Sequence, residues 1–129
     1  MEPISAAVEV LGDRWTLLIL RDIVFEDRRY FRALLNGSAE GIATNILADR
    51  LARLLDAGLL TRGAAGRGQR ARYSLTEAGI QTAPVLLALA DWGRLRIPNG
   101  ASPEGEHAVP GAELMRELRA RHAPDAEPA

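Results

Sequence analysis

Cysteine and lysine are both absent from this 129-residue sequence, so all 16 basic residues are arginine. Without cysteine the chain has no disulfide framework, no thiolate metal site and no thiol redox switch. Without lysine, every contact to a phosphate would come from a planar guanidinium group with several donors. A GC-rich coding bias would produce the same preference for arginine, so this absence alone does not indicate a function.

Long apolar segments are also missing. The longest apolar run covers residues 83–90, whereas a membrane-spanning helix needs about 20 residues. The N-terminus lacks the basic start and apolar core of a signal peptide. We therefore expect a cytoplasmic protein with no membrane partner.

Groups suited to catalysis or metal binding are few. The two histidines, His107 and His122, do not neighbour a serine or carboxylate at a spacing typical of a catalytic triad. The carboxylates lie in helix caps, turns and a charged tail, where solvated surface is the usual explanation. A metal site from both histidines with Glu104 and Glu106 lacks a helical histidine pair. We expect no enzyme activity, no metal and no cofactor.

Charge is distributed unevenly along the chain, although the net charge is only −1. Residues 28–72 contain nine arginines and three acids, a balance of +6. The segment from Pro98 onward contains three arginines and six acids, a balance of −3. A basic central segment favours a nucleic-acid partner more than the net charge suggests.

The most informative stretch covers residues 41–73. Leu47, Leu51 and Leu54 recur at helical spacing and predict one buried face of a helix over about residues 43–57. Gly58 should end that helix. The following residues, about 59–75, predict a hairpin, because Leu59 and Leu60 open a strand and residues 70–75 alternate polar with apolar.

The tip of this hairpin, residues 63–69, is almost entirely glycine, alanine and arginine and offers nothing to pack. A helix with a polar outer face, followed by a ribbon with a cationic tip, is the pattern of a winged helix-turn-helix, which contacts duplex DNA twice. We therefore predict a mostly α fold with a small β-hairpin wing.

The polar face of the predicted helix supplies candidates for reading DNA bases. These are Thr44, Asn45, Ala48 and Asp49, where asparagine suits an adenine edge and aspartate suits cytosine. Two other roles fit equally well: Thr44 or Asn45 could cap the helix, and Asp49 could pair with Arg53. The candidates for phosphate or minor-groove contacts are Arg28, Arg29, Arg50, Arg53, Arg67, Arg70 and Arg72.

Helices are predicted on both sides of this stretch. Pro3 suits the start of a short amphipathic helix, and Asp13 can cap a second helix that is apolar on nearly every side and so belongs in the centre. Thr76 should start one long helix that Pro84 kinks. The remaining apolar surface predicts either core packing or a homodimer interface formed by Ile4, Val8, Leu11, Leu86, Leu89 and Trp92.

Composition divides the chain near Pro98. Residues 1–97 contain all the elements above, and residues 98–129 begin with a proline- and glycine-rich stretch that indicates a linker. A short last helix is predicted over residues 112–122, where Leu114, Met115 and Leu118 are apolar.

Several motifs, taken together in their order along the chain, resemble those of the HxlR-type winged-helix regulators of bacteria, which are distantly similar to the MarR group. The resemblance covers residues 3–93 and rests on Pro3-Ile4, GDRWTLLILR at 12–21, Phe31 with Leu34, Gly41-Ile42, LADRL at 47–51, GLL at 58–60, YSLTEAG at 73–79 and Trp92-Gly93. It implies homodimers that dimerise through their N- and C-terminal helices and place one recognition helix and one wing per subunit on a palindromic operator.

Two positions depart from that family pattern. Many members carry a sensing cysteine directly before the Pro-Ile pair, where this chain has Glu2. Serine often caps the recognition helix where Ala43 stands here, so we expect Thr44 to take that role.

The expected partners are double-stranded DNA and a second copy of the chain. A small-molecule effector could bind between the central helix and the dimer face, but no residue identifies one. The alternative function is a winged-helix protein-interaction module whose basic wing docks on an acidic partner without binding DNA.

Overall fold

The structure is a computed structural model that describes residues 1–98 and 111–126. Its elements follow in the order α1 (Pro3–Leu11), α2 (Arg14–Glu26), α3 (Phe31–Gly37), α4 (Thr44–Asp56), β1 (Leu60–Arg62), β2 (Tyr73–Leu75), α5 (Glu77–Ile80), α6 (Ala83–Arg94) and α7 (Gly111–Ala126). The prediction of a mostly helical fold with one small hairpin is confirmed.

Helix α2 lies at the centre, as its apolar sequence predicts. Ile19, Leu20 and Ile23 are buried in a core to which most of the helices and both strands contribute. The carboxylate of Asp13 accepts the backbone N–H of Thr16 at 2.9 Å and caps the helix.

Helices α3 and α4 form the helix-turn-helix. Leu47, Leu51 and Leu54 are buried, as predicted, and hold α4 against the core. The helix ends in a left-handed Gly58 with φ 77°, a conformation that glycine adopts without the strain of a side chain. Its start differs from our expectation: Ala43 is the N-cap, no side chain caps the helix, and Thr44 is the first helical residue.

The wing consists of β1 and β2, which pair antiparallel with Leu60 opposite Leu75. Strand β2 begins at Tyr73, later than the alternation from Arg70 onward suggests. The residues between the strands form an exposed loop closed by a turn, in which the backbone N–H of Gln69 donates to the carbonyl oxygen of Gly66 at 2.9 Å.

The single long helix expected after Thr76 is two helices. Thr76 caps α5 through a 3.1 Å bond from the N–H of Gly79 to its hydroxyl. The chain then breaks and restarts as α6, with Pro84 in the first turn. Proline fits there because first-turn amides need no helical acceptor, so the predicted kink at Pro84 is wrong.

Helix α7 is longer than the predicted 112–122 and packs on β2, α5 and α6. Leu114 and Leu118 are buried in the same core as the preceding elements. The predicted linker lies largely outside the described residues, and the division of the chain at Pro98 stays a prediction.

Candidate nucleic-acid interface

The outer face of α4 carries the four residues predicted to read bases. Thr44, Asn45, Ala48 and Asp49 are all exposed, because the three core leucines of this helix point the opposite way. They occupy the first two turns, the part of a recognition helix that reaches base edges in the major groove. The face is therefore free to meet a ligand.

Asp49 lies between two arginines. Its Oδ2 is 2.8 Å from Nη1 of Arg50 and 3.0 Å from Nε of Arg53. The Asp49–Arg53 pair, which was the alternative to a base contact, is therefore present. Arg53 nevertheless remains 66% exposed and lies on the edge of the outer face.

Arg50 connects α4 to the start of α2. Its Nε donates to Oδ2 of Asp13 at 2.8 Å and its Nη2 to Oδ1 at 3.2 Å, and its side chain is only 16% exposed. The Arg50 guanidinium lowers the pKa of Asp13 well below its usual range. In this structure Arg50 positions the outer face of α4 and is not free for a phosphate.

Arg29 is buried, which corrects its prediction as a phosphate contact. Its side chain is 3% exposed, and its Nε donates to the carbonyl oxygen of Tyr73 at 3.0 Å. One Nη2 hydrogen bond reaches Oγ of Ser74 at 2.6 Å, and another reaches Asp125 at 3.3 Å. The charge count could not reveal this, because burial depends on α7, which lies about 90 residues later in the chain.

Arg28 is half-buried and packs over Gly37 at the end of α3. Its Nη1 is 3.4 Å from Oδ1 of the buried Asp22, which also pairs with Arg21 at 2.9 Å. Arg28 is thus committed to a structural carboxylate, although part of its side chain still faces solvent.

A basic cleft lies between α3 and the wing. It has a volume of about 240 Å³ and is lined by Phe31, Arg32, Arg62, Gln69, Arg70, Ala71 and Tyr73. The guanidinium carbon of Arg70 lies 4.5 Å from the centre of the Tyr30 ring, a cation–π contact that orients the side chain while it stays exposed. No carboxylate of the described residues lines this cleft, which suits an anion.

Arg32 and Arg62 are cleft residues absent from our predicted contacts. Within residues 1–98 and 111–126 neither is ion-paired, and the same holds for the exposed Arg67 at the wing tip. The signal in the sequence was that Arg32 lies at the start of α3 and Arg62 at the end of β1, next to the basic tip of the hairpin. Arg72 differs from these, since its Nε is 3.3 Å from Oδ2 of Asp125.

An apolar surface covers α1 and one side of α6. The predicted interface residues Ile4, Val8, Leu89 and Trp92 are all largely exposed, and Leu11 is half-buried. Leu86 is 7% exposed and packs in the core of its own chain, which corrects its assignment to the interface. Further exposed residues on α6 and after it are Val85, Leu95 and Ile97.

A groove of about 370 Å³ runs between the two helices, lined almost entirely by apolar side chains from α1, α2 and α6. Large exposed apolar patches of this kind mark interaction surfaces in soluble proteins.

Comparison with known proteins agrees with this geometry. The family model for the HxlR-like helix-turn-helix matches residues 10–100. The chain belongs to the HxlR family. It is 36% identical over 118 residues to an uncharacterized HTH-type transcriptional regulator of Mycobacterium tuberculosis, covering 84% of this chain and 73% of that protein.

Solved structures extend the HxlR comparison to the fold. The crystal structure of PA1607, a candidate transcription factor, superposes with a TM-score of 0.70 at 31% identity and covers 84% of this chain and 80% of that one. A candidate HxlR family transcriptional factor from Thermoplasma volcanium GSS1 gives a TM-score of 0.59 at 28% identity, covering 74% and 85%. This HxlR chain therefore has the winged helix-turn-helix fold of a family of transcriptional regulators.

Glu2 has a structural role in this HxlR protein. Its Oε1 accepts the backbone N–H of Ser5 at 2.6 Å and caps α1. Bonds from the backbone amides of Ser5 and Ile4 lower the pKa of the Glu2 carboxyl. A carboxylate at this position stabilises the start of α1, since it meets the positive end of the helix dipole.

Two general features of the described residues bear on other site types. They contain no cluster of three or more side chains that could hold a metal ion. None of their helices is long and apolar enough to cross a bilayer.

Proposed function

We propose that this protein acts as a homodimer on a palindromic DNA operator, with α4 of each subunit in the major groove and the wing on the backbone or minor groove. The observation that supports this most is the exposed outer face of α4 together with exposed arginines of the cleft and wing tip that have no carboxylate partner among the described residues. Such a regulator acts in the cytoplasm, and the proposal assigns it no catalysis.

Base reading is assigned to the outer face of α4. Asn45 has a free amide within the described residues and suits the bidentate edge of adenine. Thr44 and Ala48 offer a hydroxyl and methyl groups, which suit a base edge or a thymine methyl. Asp49 contacts Arg50 and Arg53 through Oδ2, which leaves Oδ1 to accept from cytosine.

Phosphate contacts are assigned mainly to the arginines that have no carboxylate partner among the described residues. Arg32, Arg62 and Arg70 line one cleft that contains no acid from residues 1–98 or 111–126, and Arg67 projects from the wing tip. Arg53 and Arg72 are exposed but share carboxylates, so their contribution is smaller. Guanidinium groups bind phosphate well because several N–H donors lie in one plane.

Dimerisation is assigned to the apolar surface of α1 and α6. A two-fold axis on this surface would give each operator half-site one copy of α4, which is how helix-turn-helix dimers match palindromic sites. A small-molecule effector could bind in the apolar groove beside this interface.

Selection of bound fragments from genomic DNA tests this proposal. We expect recovered fragments to share an inverted repeat with half-sites about one helical turn apart. Sedimentation should give the mass of a dimer, and Trp92→Glu together with Leu89→Glu should give monomers and lose the repeat. Recovery of unrelated sequences, or of no duplex DNA at moderate salt, would contradict the assignment.

A further inference from the structure

Helix α7 lies beyond the part of the chain matched by the family model and covers the base of the wing. Three of its side chains, Leu114, Leu118 and His122, are buried at successive steps of four residues. One face of the helix is therefore continuous with the core, and its last turns reach the wing.

Among the described residues no third strand lies beside β2, yet its outward-facing amides are satisfied. The N–H of Tyr73 donates to the carbonyl oxygen of Arg29 at 2.7 Å. The N–H of Leu75 donates to Nδ1 of His122 at 2.9 Å. A buried amide without an acceptor is costly, so the imidazole replaces the carbonyl that a neighbouring strand would supply.

This bond determines the state of the imidazole. Because Nδ1 accepts, the neutral ring carries its proton on Nε2, and that atom has no hydrogen-bond partner among the described residues. The only bond of this ring within residues 1–98 and 111–126 is thus the one to the wing.

The end of α7 is also tied to both strands of the wing. The hydroxyl of Thr61 on β1 donates to the carbonyl oxygen of Asp125 at 3.1 Å. The Asp125 carboxylate accepts from the hydroxyl of Ser74 on β2 at 3.4 Å and contacts Nη2 of Arg29 and Nε of Arg72, each at 3.3 Å. These contacts connect β1, β2 and the segment before α3 to one turn of helix.

We propose that α7 is a brace that holds the wing in its DNA-binding position, with His122 as the positioning residue for β2. The tip between the strands packs on little of the domain, so its direction depends on how firmly its base is held. A pre-positioned wing loses less conformational freedom on binding, which raises affinity. The inference rests on the proposed DNA-binding function.

The test compares three full-length variants at His122 with wild type. His122→Leu keeps the apolar bulk and removes the acceptor. His122→Asn places an amide oxygen near the Nδ1 position, and His122→Gln places it near Nε2. Ala120→Ser, on the exposed side of α7, serves as the matched control.

Two readouts are needed: hydrogen exchange at the Leu75 amide and the wing, and affinity for a duplex recovered from genomic selection. We expect His122→Leu and His122→Gln to speed exchange and weaken binding about fivefold to tenfold, because one buried acceptor is lost. His122→Asn should restore both values, and Ala120→Ser should change neither.

Thr61→Val provides a second route if His122→Leu does not fold. It removes one exposed tether without a cavity, and we expect about twofold weaker binding with faster exchange in the wing. The brace would be overturned if wild type binds the duplex and if Thr61→Val and every folded His122 variant bind it with the same affinity as wild type. If wild type does not bind duplex DNA, the proposed function is overturned, and with it the role of the brace in DNA binding. Hydrogen exchange would still test whether His122 holds the Leu75 amide.

Discussion

Two groups of arginines share one basic segment of the sequence but have opposite environments. The inner arginines, Arg28, Arg29 and Arg50, are paired with Asp22, Asp125 and Asp13 and hold elements of the domain together. The outer arginines are Arg32, Arg62, Arg67 and Arg70, which lie on the cleft and the wing tip without a carboxylate partner among the described residues.

The comparison shows that charge in a sequence does not separate a structural cation from a ligand-binding one. Arg29 and Arg32 are three residues apart, yet one is buried beneath α7 and the other is exposed. Their difference comes from which carboxylates and carbonyls the fold brings near, so substitutions in the two groups should affect different properties.

The largest expected effect is on stability, at Arg29. Arg29→Met should lower the free energy of unfolding by about 3 kcal/mol, because the buried acceptors on Tyr73 and Ser74 lose their donor. Arg32→Met is the matched control and should change it by less than about 0.5 kcal/mol, as expected of an exposed site. Denaturant unfolding measures both, and equal losses would remove the distinction between the groups.

The second prediction concerns pH. Burial, together with the nearby Arg29 guanidinium, lowers the pKa of His122 to about 4. The unfolded chain binds this proton near pH 6.5, so the stabilisation is complete above that pH and is lost as pH falls toward 4.

Lowering the pH from 7 to 5 should therefore reduce the free energy of unfolding by about 2 kcal/mol. In His122→Asn the dependence between these pH values should be much weaker, while His107 is present in both proteins and serves as an internal control. A pH dependence that is the same in both proteins would show that His122 is not the titrating group.

The third prediction concerns an outer pair. Arg62→Ala combined with Arg67→Ala should weaken binding to all duplexes about tenfold, or about 1.4 kcal/mol, with an unchanged unfolding midpoint. Asn45→Ala is the contrasting variant and should mainly alter preference among operators. If both lowered specific and nonspecific binding equally, the division between phosphate and base contacts would be wrong.

The smallest effect is expected at Arg72, which is exposed but shares Asp125 with Arg29. Arg72→Ala should weaken DNA binding about twofold, less than Arg67→Ala alone, because Arg72 must give up a carboxylate to reach phosphate. Competitive binding at one salt concentration compares the two, and a larger loss for Arg72→Ala would reverse their order.

Local patterns predicted much of this fold. The leucine spacing and Gly58 predicted α4, and the same spacing correctly predicted that the four candidate base-reading residues are exposed. Pro84 led to the wrong prediction of one kinked helix after Thr76. A proline disrupts a helix interior but fits a helix start, and Pro84 lies in the first turn of α6.

Long-range packing accounts for most of what the sequence could not show. Ser74 occupies a polar position in an alternating strand and would face solvent, but α7 covers that side and buries it. The sequence indicated Leu114 and Leu118 as apolar positions of the last helix, but neither the surface they contact nor the burial of His122 beside them.

The salt dependence of DNA affinity measures how many arginine–phosphate contacts the outer arginines make. If the four outer arginines of each subunit contact phosphate, a dimer engages about eight, and the slope of log affinity against log salt should be about −7. Arg62→Ala with Arg67→Ala should bring the slope to about −4, since a dimer then loses about four contacts, whereas Arg28→Ala should leave it nearly unchanged. A slope near zero, or an equal change in both variants, would contradict the account.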